Sequence, residues 1–273
     1  MKRILTAVIV LPFLIASILI SYLWWLFVLL AAAAMVIGLW EFYLLAKKLQ
    51  LKPDPGAGYV AGAAILTISL QNDPAVNVLL IQFVIIVLTA VTLIGATLRG
   101  APFDKMIASA GATILGVLYV PLLGSHLVSL RTGFTQPLSA HLLSFFFLVL
   151  MGADAGAYYV GRALGKRKLA PSISPGKTWE GAAGGILAAL AMATLAHFWF
   201  FRELPLKFSL PLAAVMTVVG IFGDLAESAL KRGAGAKDAA NILPGHGGIL
   251  DRLDSLLFNA PLIYYFAHFY FHS

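Results

Sequence analysis

Nine apolar runs dominate the sequence and restrict the chain to a membrane environment. They cover residues 4–21, 23–46, 58–70, 76–98, 106–127, 140–159, 179–201, 208–230 and 256–271. Hydrophobic residues make up 60% of the chain and charged residues 11%, well outside the range of soluble domains. Because a helix needs roughly 20 apolar residues to cross a bilayer, we expect an all-α, polytopic integral membrane protein with about nine transmembrane helices. The short third run predicts a tilted or partly re-entrant helix.

The basic residues are distributed unevenly along this series of predicted spans. With nine spans, all of the 19 Lys and Arg residues fall on one side of the membrane except Arg131, Arg202 and Lys207. Because cytoplasmic loops are enriched in Lys and Arg, this asymmetry predicts a cytoplasmic N-terminus. The same distribution explains the net charge of +7 by membrane orientation and by anionic lipid head groups. We therefore expect no nucleic acid partner. The basic start resembles a secretory signal, but it lacks a small-residue cleavage site and predicts a retained first helix.

Polar motifs are concentrated in the second half of the chain. Residues 1–130 are predicted to be scaffold helices, with Glu41 and Asp54 as candidate exceptions, and residues 131–273 a C-terminal catalytic region of the same membrane domain. Two loops on the predicted cytoplasmic side, at 161–177 and 231–255, are long enough to contribute to an active site. The absence of cysteine excludes disulfides and thiolate metal sites.

A polar stripe is predicted at the end of the eighth apolar run. Its members, spaced i, i+3, i+4 and i+7, are Asp224, Glu227, Ser228 and Lys231. Charged side chains in or near a membrane span are costly, so they usually face a cavity and serve a function. An ion-paired stripe that only holds helices together is the alternative.

The segment after this helix has the composition of a phosphate-binding loop. Residues 233–238 are small except for Lys237 and Asp238 at their end, and such a loop lets backbone N–H groups approach a phosphate. An ordinary flexible connection is the alternative. A proline and three glycines then predict a tight turn around His246.

Two further acids, Asp251 and Asp254, follow with i, i+3 spacing. Hard divalent cations such as Mg²⁺ prefer carboxylate oxygen and bind alongside substrate phosphates. Because Asp224 and Asp251 lie on different predicted elements, they could bind one metal ion between them.

A second polar cluster begins at Asp154, which lies in an apolar context. Tyr158, four residues later, is its predicted hydrogen-bond partner. The cluster also includes Gly161-Arg162 and a basic loop at 165–168, whose charges we attribute to membrane topology.

The cluster continues with Gly176-Lys177-Thr178, a sequence also found in nucleotide-binding P-loops. An ordinary P-loop is excluded, because Pro171 occupies the position of its required glycine. The segment still suits phosphate, with Lys177 as a charge and Ser174 and Thr178 as hydroxyl donors at a helix N-terminus. Helix capping is the alternative for the two hydroxyls.

Taken together, these motifs resemble the signature of the phosphatidate cytidylyltransferases (CDP-diacylglycerol synthases). The matching string is Ser228-x-x-Lys231-Arg232-x(4)-Lys237-Asp238-x(5)-Pro244-x-His246-Gly247-Gly248-x-x-Asp251-Arg252-x-Asp254. The resembling upstream motifs are Asp154-x-Gly156-Ala157-Tyr158, Gly161-Arg162 and Ser174-Pro175-x-Lys177-Thr178-Trp179-Glu180-Gly181. The motifs cover about residues 150–255. The length of the whole chain and its number of predicted spans also agree with this family.

The resemblance implies a Mg²⁺-dependent nucleotidyltransferase of phospholipid biosynthesis. CTP and phosphatidic acid would give CDP-diacylglycerol and pyrophosphate. It also implies a two-cation centre on Asp224 and Asp251, with a monovalent or divalent second cation, and a homodimer. The expected location is the inner (plasma) membrane, in a multi-pass arrangement with the active site facing the cytoplasm.

This chemistry suggests a role for each candidate residue. The phosphate of the lipid is already an anion, so the reaction needs positioning, metal and cationic side chains rather than covalent catalysis. The expected catalytic residues are Asp224, Asp251, Lys237 and Lys231. The expected metal ligands are Asp224 and Asp251, supported by Asp154, Glu227 and Asp254. The expected substrate-binding residues are Ser174, Lys177, Thr178, Ser228, Arg232, Asp238, His246 and Arg252.

Two other functions fit parts of this pattern. One is CTP-dependent transfer to another lipid, either by an ether-lipid phosphate cytidylyltransferase or by a polyprenol kinase. The other is an ion-coupled transporter that uses Asp154, Asp224 and Glu227 as an ion path. A transporter would be expected to contain inverted repeats, which the sequence does not show.

Overall fold

The computed structural model describes residues 2–71, 73–100, 103–236 and 248–271. The helices within these ranges are α1 (Lys2–Leu19), α2 (Trp24–Lys48), α3 (Pro55–Ile68), α4 (Pro74–Leu98), α5 (Met106–Val117), α6 (Leu123–Thr132), α7 (Leu138–Leu164), α8 (Trp179–Trp199), α9 (Leu206–Gly233) and α10 (Leu250–Phe271). A short antiparallel pair of strands, β1 (Lys168–Ala170) and β2 (Ser174–Thr178), lies between α7 and α8 in the sequence. Each predicted apolar run coincides with helix, so the all-α prediction is confirmed.

Six helical segments among the described residues are long and apolar enough to cross a membrane. They are Ser21–Lys48, Pro74–Leu98, Met106–Thr132, Leu138–Leu164, Trp179–Trp199 and Leu206–Gly233. The chain is therefore a multi-pass membrane protein. The third predicted span is α3, whose 14 residues rise only about 21 Å, less than the roughly 30 Å of a bilayer core. The helices α1 and α10 coincide with predicted spans but are not among these six segments.

The chain divides into two compact units. The first contains Met1–Thr135 together with Leu230–Leu253, and the second contains Gln136–Ala229 together with Asp254–Ser273. The last turn of α9 and the first turn of α10 thus belong to the unit that holds the N-terminal helices.

In the first unit, α2, α3 and α5 pack around Tyr43. The Tyr43 hydroxyl donates a hydrogen bond to the carbonyl oxygen of Thr113 at 3.1 Å, and the side chain is only 2% exposed. Gly116 permits this packing, because a Cβ there would lie 2.7 Å from the Tyr43 ring. The start of α3 is defined locally, since the Asp54 carboxylate accepts the N–H of Ala57 at 3.1 Å and Pro55 occupies the first helical position.

In the second unit, α7 and α8 form a tightly packed antiparallel pair. Glycines on α8 allow this approach, because a Cβ at Gly181 would lie 2.9 Å from the carbonyl oxygen of Ala157 on α7. The segment before α8 is anchored by Glu180, whose carboxylate accepts the N–H groups of Lys166 at 3.1 Å and Arg167 at 3.2 Å. Lys177 is therefore placed at the end of β2, next to the start of α8.

Candidate active site

Lys177 and Asp224 form the centre of a charged cluster in the second unit. The Lys177 ammonium lies 2.7 Å from Asp224 Oδ2 and also donates to the carbonyl oxygen of Ile221 at 3.3 Å. The hydroxyl of Ser228, one turn further along α9, donates to Asp224 Oδ1 at 3.3 Å. Two motif segments that are far apart in sequence thus contribute to one ion pair.

Two more carboxylates belong to the same cluster. Asp154 on α7 interacts electrostatically with Asp224 and Lys177, and Asp254 on α10 interacts with the same two residues and with Asp154. Within the second unit, α10 lies close to α9 at Gly223, where a Cβ would lie 2.7 Å from the carbonyl oxygen of Asp254. The cluster is therefore built from four elements: α7, the end of β2, α9 and α10.

Carboxyl groups outnumber basic groups among the described residues of this cluster. Asp254 is 9% exposed, and its burial raises the pKa of this carboxyl to about 7. The charges of Asp224 and Asp154 contribute to this increase, whereas the Ser255 N–H and the Lys177 ammonium oppose it. Among the described residues of the cluster, Lys177 pairs with Asp224 and interacts electrostatically with Asp154 and Asp254, and an added cation would favour the ionised form of these carboxyl groups.

The first unit contains a second ion pair, between Lys231 and Asp251. Lys231 Nζ lies 2.5 Å from Asp251 Oδ1, and the two side chains are 12% and 15% exposed. Asp251 Oδ2 accepts the N–H of Gly248 at 2.8 Å. Both carboxylate oxygens of Asp251 are therefore held in fixed directions at the start of α10.

Glu41 of α2 also binds the start of α10 and was not among the predicted site residues. Its Oε1 accepts the N–H of Ile249 at 2.9 Å, its Oε2 accepts the N–H of Leu250 at 2.7 Å, and the side chain is fully buried. The sequence contained one signal for it, since an acid in an apolar run is costly unless it has partners. Its partners lie about 200 positions away, so no local pattern could identify them.

The remaining predicted residues occupy varied positions. Thr178 caps α8, because its hydroxyl oxygen accepts the N–H of Gly181 at 3.1 Å, as the capping alternative expected. Ser174 lies in β2 opposite Ala170, and Glu227 is fully buried in α9. Arg232 and Arg252 are exposed, in the last turn of α9 and the first turn of α10. Lys237, Asp238 and His246 lie outside the described residues.

The predicted hydrogen bond between Tyr158 and Asp154 is wrong. The Tyr158 hydroxyl instead accepts a hydrogen bond from Arg162 Nη1 at 3.1 Å, one helical turn further along α7. The side chain of Tyr158 is 59% exposed, and its hydroxyl binds the side chain of Arg162.

The donor chemistry of these residues fits Mg²⁺. In the ranges that the structure describes, no three His, Asp or Glu residues form a group that could hold a metal ion by themselves. Mg²⁺ does not require such a group, because it is usually bound by one or two carboxylates together with substrate phosphates and water. Asp224 and Asp251 belong to different units, and their binding of a shared cation stays a prediction.

Comparison with known proteins identifies the family. Residues 1–270 match the family model described as "Cytidylyltransferase family". The chain is 35% identical over 266 residues to a phosphatidate cytidylyltransferase of Pseudomonas aeruginosa, a match that covers 96% of this chain and 94% of that protein. It is 41% identical over 185 residues to a phosphatidate cytidylyltransferase of Bacillus subtilis, covering 67% of this chain and 64% of the relative. A relative of the same name from Haemophilus influenzae is 44% identical over 134 residues, a match that covers 48% of this chain and 46% of that relative.

The matched regions thus span less than two thirds of the Bacillus and Haemophilus relatives but nearly all of the Pseudomonas relative. The family match extends over both units of the structure, including the segments that carry Lys177, Asp224 and Asp251. The resemblance found in the motifs is confirmed, and the chain belongs to the cytidylyltransferase family.

Proposed function

We propose that this protein is a phosphatidate cytidylyltransferase, which converts CTP and phosphatidic acid into CDP-diacylglycerol and pyrophosphate. The observation that carries the proposal is the Lys177–Asp224 ion pair, in which two separate motif segments meet beside the carboxylates of Asp154 and Asp254. A lysine that can offset phosphate charge, beside carboxylates that could bind Mg²⁺, suits a reaction between two phosphate anions. A relative that is matched over 94% of its length and is named phosphatidate cytidylyltransferase supports the choice of substrates.

In this reaction the lipid phosphate attacks CTP, and pyrophosphate leaves. The nucleophile is already ionised, so the main task of the protein is to bring two anions together. Lys177 and Lys231 would neutralise phosphate charge, and the ion pairs with Asp224 and Asp251 hold their ammonium groups in position. Ser228, hydrogen-bonded to Asp224, and Ser174 and Thr178 would orient phosphate oxygens.

Mg²⁺ is the proposed cofactor, with Asp224 and Asp251 as its main ligands. When bound, it would stabilise negative charge on the phosphates and on the leaving pyrophosphate. Asp154 and Asp254 would balance the charge of a second cation in the cluster around Asp224, where acids outnumber Lys177. Lys237, Asp238 and His246 would complete the site from the segment between α9 and α10.

We further propose nine membrane crossings, a cytoplasmic N-terminus and an active site that faces the cytoplasm. The uneven distribution of Lys and Arg supports this orientation. In this orientation the loops at 161–177 and 231–255 would lie on the side where CTP is available, while the lipid would enter from the bilayer. Location in the bacterial inner membrane and assembly as a homodimer are parts of the same proposal.

The test is an assay of the purified protein in lipid vesicles with radiolabelled CTP, phosphatidic acid and Mg²⁺. The expected products are CDP-diacylglycerol and pyrophosphate, and both should disappear with a chelator or with Asp224→Asn. Parallel reactions with an ether-lipid phosphate and with a polyprenol test the alternative acceptors. A product from one of these lipids and none from phosphatidic acid would overturn the proposal. No CTP turnover with any acceptor by a folded protein would reject a CTP-dependent transferase altogether.

A further inference from the structure

Glu41 makes a long-range contact with the start of α10 that the proposed chemistry does not use directly. It is fully buried in the C-terminal half of α2, between buried Leu39 and Phe42. Its two carboxylate oxygens accept separate hydrogen bonds, from Ile249 N–H at 2.9 Å and from Leu250 N–H at 2.7 Å. A carboxylate in such an apolar position is costly, so its partners are needed to stabilise it there.

These two N–H groups lie at the N-terminus of α10, where backbone N–H groups need hydrogen-bond acceptors from outside the helix. The carbonyl oxygen of Ile249 accepts the N–H groups of Arg252 and Leu253, so Ile249 is the capping residue of α10. The first N–H groups of a helix have no partner within the helix, and they carry the positive end of its dipole. Glu41 satisfies two of them from another helix and thereby fixes where α10 begins.

Asp251, the second residue of α10, depends on this arrangement. Its Oδ2 accepts the N–H of Gly248 and its Oδ1 pairs with Lys231, so its orientation follows the backbone at 248–251. Gly248 is packed directly against Glu41, since a Cβ there would lie 2.6 Å from Glu41 Oε2. Any displacement of the Glu41 carboxylate would therefore move the backbone that orients Asp251.

We propose that Glu41 is a positioning residue for the active site. It holds the first turn of α10 so that Asp251 and Lys231 point in the directions that the reaction requires. Glu41 reaches these groups through the backbone of Ile249 and Leu250, and it does not contact substrate. The proposal rests on the function proposed above for Asp251 and Lys231.

A purely stabilising role for Glu41 is the competing explanation, and the same unit provides a matched control. Asp54 also caps a helix with its carboxylate, accepting the N–H of Ala57 at the start of α3. Asp54→Ala removes a cap of the same kind without affecting α10. A positioning role predicts different kinetic effects for Glu41 and Asp54 variants that lose comparable stability.

The first experiment is hydrogen–deuterium exchange on protein without CTP, lipid or metal. In Glu41→Ala, the amides of Ile249 and Leu250 should exchange about ten-fold faster or more than in the unmodified protein, whereas Asp54→Ala should leave them unchanged. Unchanged exchange at these amides in Glu41→Ala would overturn the proposal. This experiment does not depend on the substrates, so it remains decisive about Glu41 even if the proposed function fails.

The second experiment measures kcat and the KM for CTP. Because a small misplacement of reacting groups lowers catalysis strongly, Glu41→Ala should reduce kcat by about ten-fold to 100-fold with a much smaller change in KM. Glu41→Gln retains an amide oxygen that can accept one N–H, so its kcat should be intermediate. Asp54→Ala should keep kcat within about two-fold of the original value. Equal kcat losses in the Glu41 and Asp54 variants would overturn the proposal.

If Glu41→Ala does not fold, the proposal is tested instead by comparing kcat in Glu41→Gln, Asp251→Asn and the double variant. When Glu41 acts through Asp251, Glu41→Gln should lower kcat in the original protein but have little further effect in the Asp251→Asn variant. Independent, multiplicative losses in the double variant would contradict the proposed route through Asp251.

Discussion

The ammonium of Lys177 lies 2.7 Å from the carboxylate of Asp224. Lys177 lies in β2, the strand that precedes α8, whereas Asp224 lies near the end of α9. The ion pair therefore joins two polar clusters that are separate motifs in the sequence. It also gives each residue a definite test, because removing either partner leaves the other charge without this contact.

Replacement of Lys177 should strongly reduce activity. Lys177→Met removes the positive charge beside Asp224, and loss of one such electrostatic contact typically lowers kcat by about 100-fold or more. The measurement is kcat/KM for CTP in vesicles of constant lipid composition. Lys168→Met is the matched control, because Lys168 is an exposed residue of β1 whose charge we attribute to membrane topology. Equal losses in the two variants would indicate a general effect of surface charge.

The raised pKa of Asp254 predicts a pH-dependent stability in chelator-treated protein. Burial raises this pKa from 3.8 to about 7, so the folded protein retains a proton that the unfolded chain releases. The Asp254 contribution to the free energy of unfolding should therefore fall as pH rises from about 4 to 7. The measurement is the Tm difference between the original protein and Asp254→Asn across this range, in which Asn represents the permanently uncharged state. A difference that does not change with pH would contradict the assigned pKa.

The helical framework could be predicted from the sequence because hydropathy determines which segments enter a bilayer. Each apolar run coincides with helix, but several boundaries differ for local reasons. The fifth run is divided by a π-helical turn, Leu118–Leu122, that contains Pro121, a residue that cannot donate a backbone hydrogen bond. The helix α10 begins at Leu250, before the apolar run starts at residue 256, so its first two turns include the polar residues Asp251 and Asp254.

The candidate site could be predicted only in part. Motif spacing identified Lys177, Asp224 and Asp251, since polar residues in apolar surroundings stand out. The strand pair before α8 was missed, because β2 contains Pro175 and Gly176, which are uncommon in strands. The capping of α10 by Glu41 was missed for a different reason. It is a tertiary contact between distant segments, and a single acid in α2 does not reveal its partner.

The cap of α8 should contribute measurably to stability. Thr178→Ala removes the hydroxyl that accepts the Gly181 N–H, and loss of such a cap typically costs about 1 kcal/mol. Thr178→Ser keeps the hydroxyl and should restore most of the stability. Thermal unfolding of both variants checks this, and equal Tm values for Ala and Ser would contradict a capping role. An additional loss of CTP affinity in Thr178→Ala would support the proposed phosphate contact.

Gly248→Ala should disturb the start of α10 through Glu41. The new Cβ would lie 2.6 Å from Glu41 Oε2 and 3.0 Å from Oε1, so the carboxylate or the backbone of α10 must move. Overpacking of this kind typically costs about 1–3 kcal/mol, and kcat should fall because Asp251 binds the Gly248 N–H. Gly111→Ala in α5 is the matched control, because no atom beyond the neighbouring backbone of α5 lies within 4 Å of its added Cβ and alanine favours a helix by up to about 1 kcal/mol. Thermal unfolding and kcat should therefore separate the two variants, with Gly111→Ala at least as stable as the original protein. A Gly248→Ala protein with unchanged Tm and kcat would show that the contact between Gly248 and Glu41 does not constrain the site.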